Sequence, residues 1–152
     1  MARERRSWAS SDRVRASMRS NRSRDTAPEL KLRRAVHSRG MRYFVCRRPL
    51  PSVRRTADLV FPRAKVAVFL DGCYWHGCPQ HCVLAGRNPD YWVPKIQRNK
   101  ERDRQTDSLL RDAGWVSIRI WEHEDPNLAA EKVLGVVTLR RAESGRKARL
   151  LA

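Results

Sequence analysis

Val66-Ala67-Val68-Phe69-Leu70-Asp71-Gly72-Cys73-Tyr74-Trp75-His76-Gly77-Cys78-Pro79-Gln80-His81-Cys82 is the stretch on which the reading of this chain turns. Its first five residues are apolar without a break, as in a strand covered on both faces. The twelve that follow hold three of the four cysteines and two of the four histidines. Cys and neutral His are the ligands zinc prefers, and four of them close a tetrahedral structural site. Cys73 and Cys78, with either His81 or Cys82, supply three. His123 is the best candidate for a fourth, because the strand ending at Trp121 can lie beside the one ending at Leu70. Core cysteines without metal are the plain alternative, disfavoured by a polar, turn-like segment. Cys46, isolated in an apolar strand, reads as a small buried residue.

Outward from this stretch the chain reads as alternating elements. Thr26-Ala27-Pro28-Glu29 opens a helix, with Thr26 as N-cap and Glu29 reaching back as a capping box. Leu30, Leu32, Ala35 and Val36 are its apolar positions, and Gly40 fits the residue just past its end. Residues 42–46 read as a short strand and Pro49 to Ser52 as a turn. Thr56–Phe61 and Lys65–Leu70 read as a hairpin around Pro62-Arg63. Residues 92–113 form a long charged helix, Val116–Trp121 a strand, and Asn127–Arg140 a last helix with Leu128, Val133, Leu134 and Val137 on one side. The expected fold is α/β, a mixed sheet flanked by helices in the order α-β-β-β-α-β-α. Residues 1–25 read as a basic N-terminal arm, 26–141 as the folded domain and 142–152 as a basic C-terminal tail.

With 152 residues the chain suffices for one domain with a core. Its net charge of +17 and pI near 11.2 attract polyanions, nucleic acid first among them. The basic arm and the Lys/Arg-rich helix 95–104 suit phosphate contact. No apolar run approaches a membrane span. The basic N-terminus carries no apolar core or cleavage site, so the sequence reads as cytoplasmic.

Asp58, in Arg55-Thr56-Ala57-Asp58-Leu59-Val60-Phe61, is a carboxylate at the start of an apolar strand, and must be paired, solvated or metal-bound there. Oxygen ligands suit Mg²⁺, the hard cation that phosphodiester cleavage requires. A pairing with one of the many arginines is the alternative. His76 lies between better-spaced zinc ligands and is a candidate general acid or base. Tyr74, Trp75 and Trp92 either pack around the Cys/His turn or wedge between base steps of DNA. Glu29 is explained by the capping box alone, which leaves a second role open.

Taken in order, these residues resemble a known family. Arg24-Asp25-Thr26-Ala27-Pro28-Glu29, Ala57-Asp58-Leu59-Val60, Phe69 to Pro79, Tyr91-Trp92, Lys95-Ile96, Asn99, Glu101-Arg102-Asp103, Gly114-Trp115 and Trp121-Glu122 are similar to the very-short-patch repair (Vsr) DNA mismatch endonucleases. The similarity runs from about residue 11 to 125. It implies a restriction-endonuclease-like fold of the PD-(D/E)XK superfamily with a structural zinc. It implies nicking of one strand beside a T:G mismatch left by deamination of 5-methylcytosine. By position, Asp58 would bind catalytic Mg²⁺, with the Leu70 carbonyl beside it. His76 would be the catalytic histidine, and Glu29 would support it directly or through water. Tyr74, Trp75 and Trp92 would be the wedge. Cys73, Cys78, His123 and either His81 or Cys82 would hold Zn²⁺. The implied partner is mismatched duplex DNA, bound by a monomer, with mismatch-repair proteins as further candidates. The superfamily's ExK pair is absent. Asp71 stands where the family can carry a histidine, as metal ligand, partner of His76 or neither. A zinc-stabilised DNA-binding module without catalysis, and a less specific nuclease on the same fold, are the alternatives.

Overall fold

Strand β3 (Val66–Asp71) is the centre of the molecule, as its apolar run requires. It lies between β2 (Ala57–Phe61), antiparallel to it, and β4 (Val116–Trp121), parallel to it. Strand β1 (Phe44–Arg47) pairs antiparallel with β2 at the sheet's edge, giving the order β1-β2-β3-β4. Helix α1 (Ala27–Ser38) precedes the sheet, α2 (Pro89–Asp112) makes the crossover from β3 to β4, and α3 (Pro126–Leu150) closes the chain. The computed structural model describes residues 12, 13, 16, 24–82 and 89–150. Most of the expected basic arm lies outside these residues.

The expected order of elements is the observed one, within a few residues at each boundary except the end of the last helix, expected at Arg140. The tail expected from 142 is helical to Leu150, continuing α3 with every residue exposed. Arg140 fastens this helix to the sheet by donating to the carbonyls of Gly114 (2.6 Å) and Ala64 (3.3 Å). No helix among the described residues is long and apolar enough to cross a membrane.

Strand alternation divides the side chains between two faces. Leu59, Phe61, Val66, Val68, Ile118 and Ile120 face α1 and α3, where they meet Leu32, Val36, Val133 and Val137. Burying each such side chain contributes roughly 1.5–3 kcal/mol. Val60, Ala67 and Phe69 face the other way, onto a smaller core that includes Leu110 of α2. Asp58, Asp71 and Arg119 share the parity of this second face. Three expected core assignments change. Leu30 and Leu128 are exposed, at 37% and 68%, while Glu29 is buried. Cys46 is only half-buried, and sits on the edge strand with φ +48 beside Arg33.

Candidate active site

The C-terminal ends of β3 and β4 open onto a cleft of about 300 Å³ on the α2 face, lined by Asp58, Asp71, His76, Asn99, Asp103 and Arg119 among others. Asp58 enters it because the β2–β3 ladder ends early. The last paired residues are Leu59 and Val68, and beyond them the Leu70 amide donates to Asp58 Oδ2 (2.7 Å). One residue on, the Asp71 carbonyl points to the β4 side and accepts from the Glu122 amide (3.0 Å). The N–H and C=O of one strand residue share a side, so the Leu70 carbonyl lies on the same edge as the Asp58 carboxylate. Burial pushes the Asp58 carboxyl up to about 6; the Leu70 amide and Arg33 oppose this, and the charges of Glu29 and Asp71 add to it. A site that penalises a lone anion and presents hard oxygens fits a divalent cation.

His76 is delivered by the turn after β3. Gly77 follows it with φ +64, and a Cβ there would come within 2.9 Å of Ile96 Cγ2 and closer still to Lys100. Only glycine lets the turn lie this close to α2. Asn99 secures it by donating to the Trp75 carbonyl (2.8 Å). The imidazole Nδ1 bonds Asp103 Oδ2 at 2.6 Å, and Asp71 Oδ1 is 3.7 Å away. Burial draws the imidazole downward, but the Asp103 bond and the Asp71 charge outweigh it, and His76 sits above its ordinary value. Asp103 is also desolvated, yet His76 and Arg119 hold its carboxyl below the usual range. Burial raises Asp71 against the pull of Arg119 and His76. Of the alternatives for Asp71, the geometry shows an ion pair with Arg119 (3.0 Å) and a longer approach to His76.

Asp103 and Arg119 are the site residues that sequence reasoning missed. Asp103 stands in the charged run 95–104 and in the motif series, where it carries no role of its own. Its signal is its position one turn from Asn99, on the helix face that meets His76. Arg119 had a signal too, as a charge in a strand whose neighbours Ile118 and Ile120 are buried.

Glu29 is not in this cleft. Its carboxylate accepts from the Asp25 amide (2.8 Å), the Thr26 hydroxyl (3.1 Å) and Arg33 (3.0 Å). The capping box therefore forms one residue early, on the Asp25 amide and not on that of Thr26, whose side chain makes no cap bond. Asp25 takes φ +59 to allow it. Among the described residues Glu29 makes no bond to His76, so support through the histidine is not what the geometry offers. Its influence reaches Asp58 through charge.

The Cys/His turn gathers four ligands beside the cleft. One ligand atom from each of Cys73, Cys78, His81 and His123 lies within 4.8 Å of the others. His123 Nδ1 is 3.1 Å from Cys73 Sγ and 3.8 Å from Cys78 Sγ, and His81 Nδ1 is 3.8 Å from Cys78 Sγ. Ligands at ordinary zinc distances stand roughly 3.3–3.8 Å apart across a tetrahedron, so the soft S/N set fits that ion. Cys82 is turned away, its thiol toward the Tyr74 carbonyl (3.9 Å). All four cysteines are free. Burial, with Cys78 alongside, pushes the Cys73 thiol up to about 11, a cost that a central cation removes.

Tyr74, Trp75 and Trp92 form one edge-to-face cluster with centroids 5.2–5.5 Å apart. Trp92 is 8% exposed and forms its floor; Tyr74 and Trp75 present the accessible edges. Lys95 caps the group, 5.1 Å from Trp75 and 5.2 Å from Trp92.

Strong positive charge, an oxygen ligand and an imidazole held by a carboxylate converge on phosphodiester chemistry, and the class they define is a DNA nuclease. Comparison of the sequence narrows it: the chain belongs to the family described as DNA mismatch endonuclease Vsr, whose family model matches residues 8–84. It is 44% identical over 131 residues to the type II nicking enzyme V.NaeI of Lentzea aerocolonigenes, covering 84% of this chain and 77% of that one. It is 38% identical over 125 residues to the type II nicking enzyme V.XorIIP of Xanthomonas oryzae pv. oryzae, covering 80% and 88%. To the DNA mismatch endonuclease Vsr of Escherichia coli K12 it is 33% identical over 108 residues, covering 69% and 66%.

Proposed function

We propose that this DNA endonuclease nicks one strand beside a T:G mismatch of the kind left by deaminated 5-methylcytosine, with Mg²⁺ at Asp58 and Zn²⁺ in the Cys/His turn. The observation that carries the reading is the facing of Asp58 and the His76–Asp103 pair across one open cleft. Asp58 and the Leu70 carbonyl would hold Mg²⁺, which when bound supplies charge against the anion that develops at phosphorus. Asp103 orients the imidazole through Nδ1 and leaves Nε2 as the nitrogen for proton transfer. Water adds to phosphorus, its proton passes to Nε2, the bond from phosphorus to one sugar oxygen breaks, and that oxygen leaves as an alkoxide that takes a proton from solvent water. Glu29 adds to the charge around Asp58, and so to the affinity of that position for a cation.

Family membership and the exposed edges of Tyr74 and Trp75 support the mismatch. A mismatched step is already poorly stacked, so inserting a planar side chain there costs less than in a perfect duplex. Trp92 serves this wedge as its floor. Cys73, Cys78, His81 and His123 would hold Zn²⁺ and keep the turn rigid beneath it. The test is a nicking assay with Mg²⁺ on T:G, C:G and other mismatched duplexes, run for the native chain and for Trp75→Ala. Preference for T:G that narrows in Trp75→Ala is the expected result. Equal cleavage of all duplexes marks a less specific nuclease, and binding without nicking marks a DNA-binding module.

A further inference from the structure

We propose that Arg119 is a positioning residue, the built-in cation of the Asp71–His76–Asp103 cluster, occupying the place that a second divalent ion would otherwise take. Ligand atoms of these three residues lie within 4.8 Å of one another, a donor set suited to a metal. The guanidinium already fills that role. Its Nη1 lies 3.0 Å from Asp71 Oδ1 and 3.3 Å from Asp103 Oδ1. Its Nε donates to Asp107 (3.0 Å) and its Nη2 to the main-chain carbonyl of Asp103 (3.3 Å). Phe69 lies against it, with the ring centroid 4.7 Å from the guanidinium carbon.

The geometry explains why this must be an arginine. Three carboxylates, from β3 and from two successive turns of α2, converge on one partly buried point. Left alone they repel, and each is costly to desolvate. A planar fork meets them from two sides, Nη1 toward Asp71 and Asp103 and Nε toward Asp107, and keeps Nη2 for the Asp103 carbonyl, whereas a lysine offers a point charge. Arg119 comes from the face of β4 opposite Ile118 and Ile120, so it approaches from beneath the helix. One fixed cation thus holds Asp103 where His76 Nδ1 needs it, at every metal concentration. The Asp58 side is left as the divalent position of the cleft. The effect on rate rests on the catalytic reading of His76; the effect on ion count does not.

The test uses the full chain with native zinc content, which also verifies folding. Bound Mn²⁺ is counted by electron paramagnetic resonance in wild type, Arg119→Met, Arg119→Lys and Arg119→Met combined with Asp71→Asn, and nicking is measured alongside. Arg119→Met should bind one Mn²⁺ equivalent more than wild type, and adding Asp71→Asn should remove it. Its kcat should fall ~10–100-fold, the usual cost of losing a group that orients a site residue, with KM for DNA nearly unchanged. Arg119→Lys should keep the wild-type ion count and recover part of the rate. Should Arg119→Met not fold, Arg119→Gln carries the same count. An uncharged variant that binds no more Mn²⁺ than wild type overturns the proposal, whatever its rate. Wild-type protein that nicks no duplex sinks the functional reading instead, and leaves the ion count standing.

Discussion

Two ligand clusters flank the turn 72–76, and they are built in opposite ways. The Cys/His cluster draws three of its four members, Cys73, Cys78 and His81, from one short segment, and takes only His123 from elsewhere. The carboxylate cluster draws Asp58 from β2, Asp71 from β3, His76 from the turn, Asp103 from α2 and Arg119 from β4. The first is soft sulfur and nitrogen, the second hard oxygen with one imidazole. In the proposed reading a local cluster is closed by its ion, because three ligands on one turn and His123 beside them meet at a single point. A dispersed cluster is held by the fold, and Arg119 pairs with its Asp71 and Asp103. Under that reading the difference separates a site whose ion would stabilise the fold from a site that the fold has to assemble.

The largest expected effect tests that separation at the Cys/His end. Cys73→Ala should lose one equivalent of zinc by elemental analysis, and with it folding free energy of several kcal/mol. A metal-free Cys73→Ala protein that melts like wild type would show that the fold holds both clusters alike. At the other end, Asp58→Asn should retain zinc and DNA binding but lose nicking by roughly 10³-fold or more, since charge stabilisation by a metal amounts to several kcal/mol. Single-turnover nicking decides this, and near-normal rates would move the active site away from the cleft. His76→Ala should slow the same step by roughly 10²–10⁴-fold. Asp103→Asn should follow it in kcat and leave KM close to wild type; if it instead weakens DNA binding alone, Asp103 acts on phosphate and not on His76.

The smallest effect sharpens the contrast in energetic terms. Asp58 binds its proton more tightly folded, near pH 6, than unfolded, near 3.8. Ionising it therefore opposes folding. Its contribution to stability is whole below pH 3.8 and is lost as pH rises through about 6. Asp58→Asn should accordingly stabilise the Mg²⁺-free protein at pH 7, by up to about 3 kcal/mol, and the gain should vanish below pH 4. Denaturant melts at pH 4 and pH 7 measure it. A gain that is the same at both would mean that Asp58 folds without electrostatic penalty.

The sequence by itself determined the periodic and the local. The apolar run 66–70 required a central strand, and the alternation of Val116, Ile118 and Ile120 required a half-covered one beside it. The density of Cys and His from 73 to 82 pointed to a ligand cluster, and the motif series singled out Asp58 and His76, which line one cleft. These signals lie within single elements, where spacing translates directly into geometry. The tertiary structure decided what crosses elements. It turned Cys82 away and brought His81 toward Cys78, a choice that depends on how the turn packs on α2 through Gly77. It moved the Glu29 bonds to Asp25 and Arg33, because a buried carboxylate takes every donor within reach. It raised Asp103 from a charged helix into contact with His76, and set Arg119 among three carboxylates. A charge in sequence reads as a solvated face until packing removes the water; only the sheet and α2 together determine which charges lose it, and which partners they then must have.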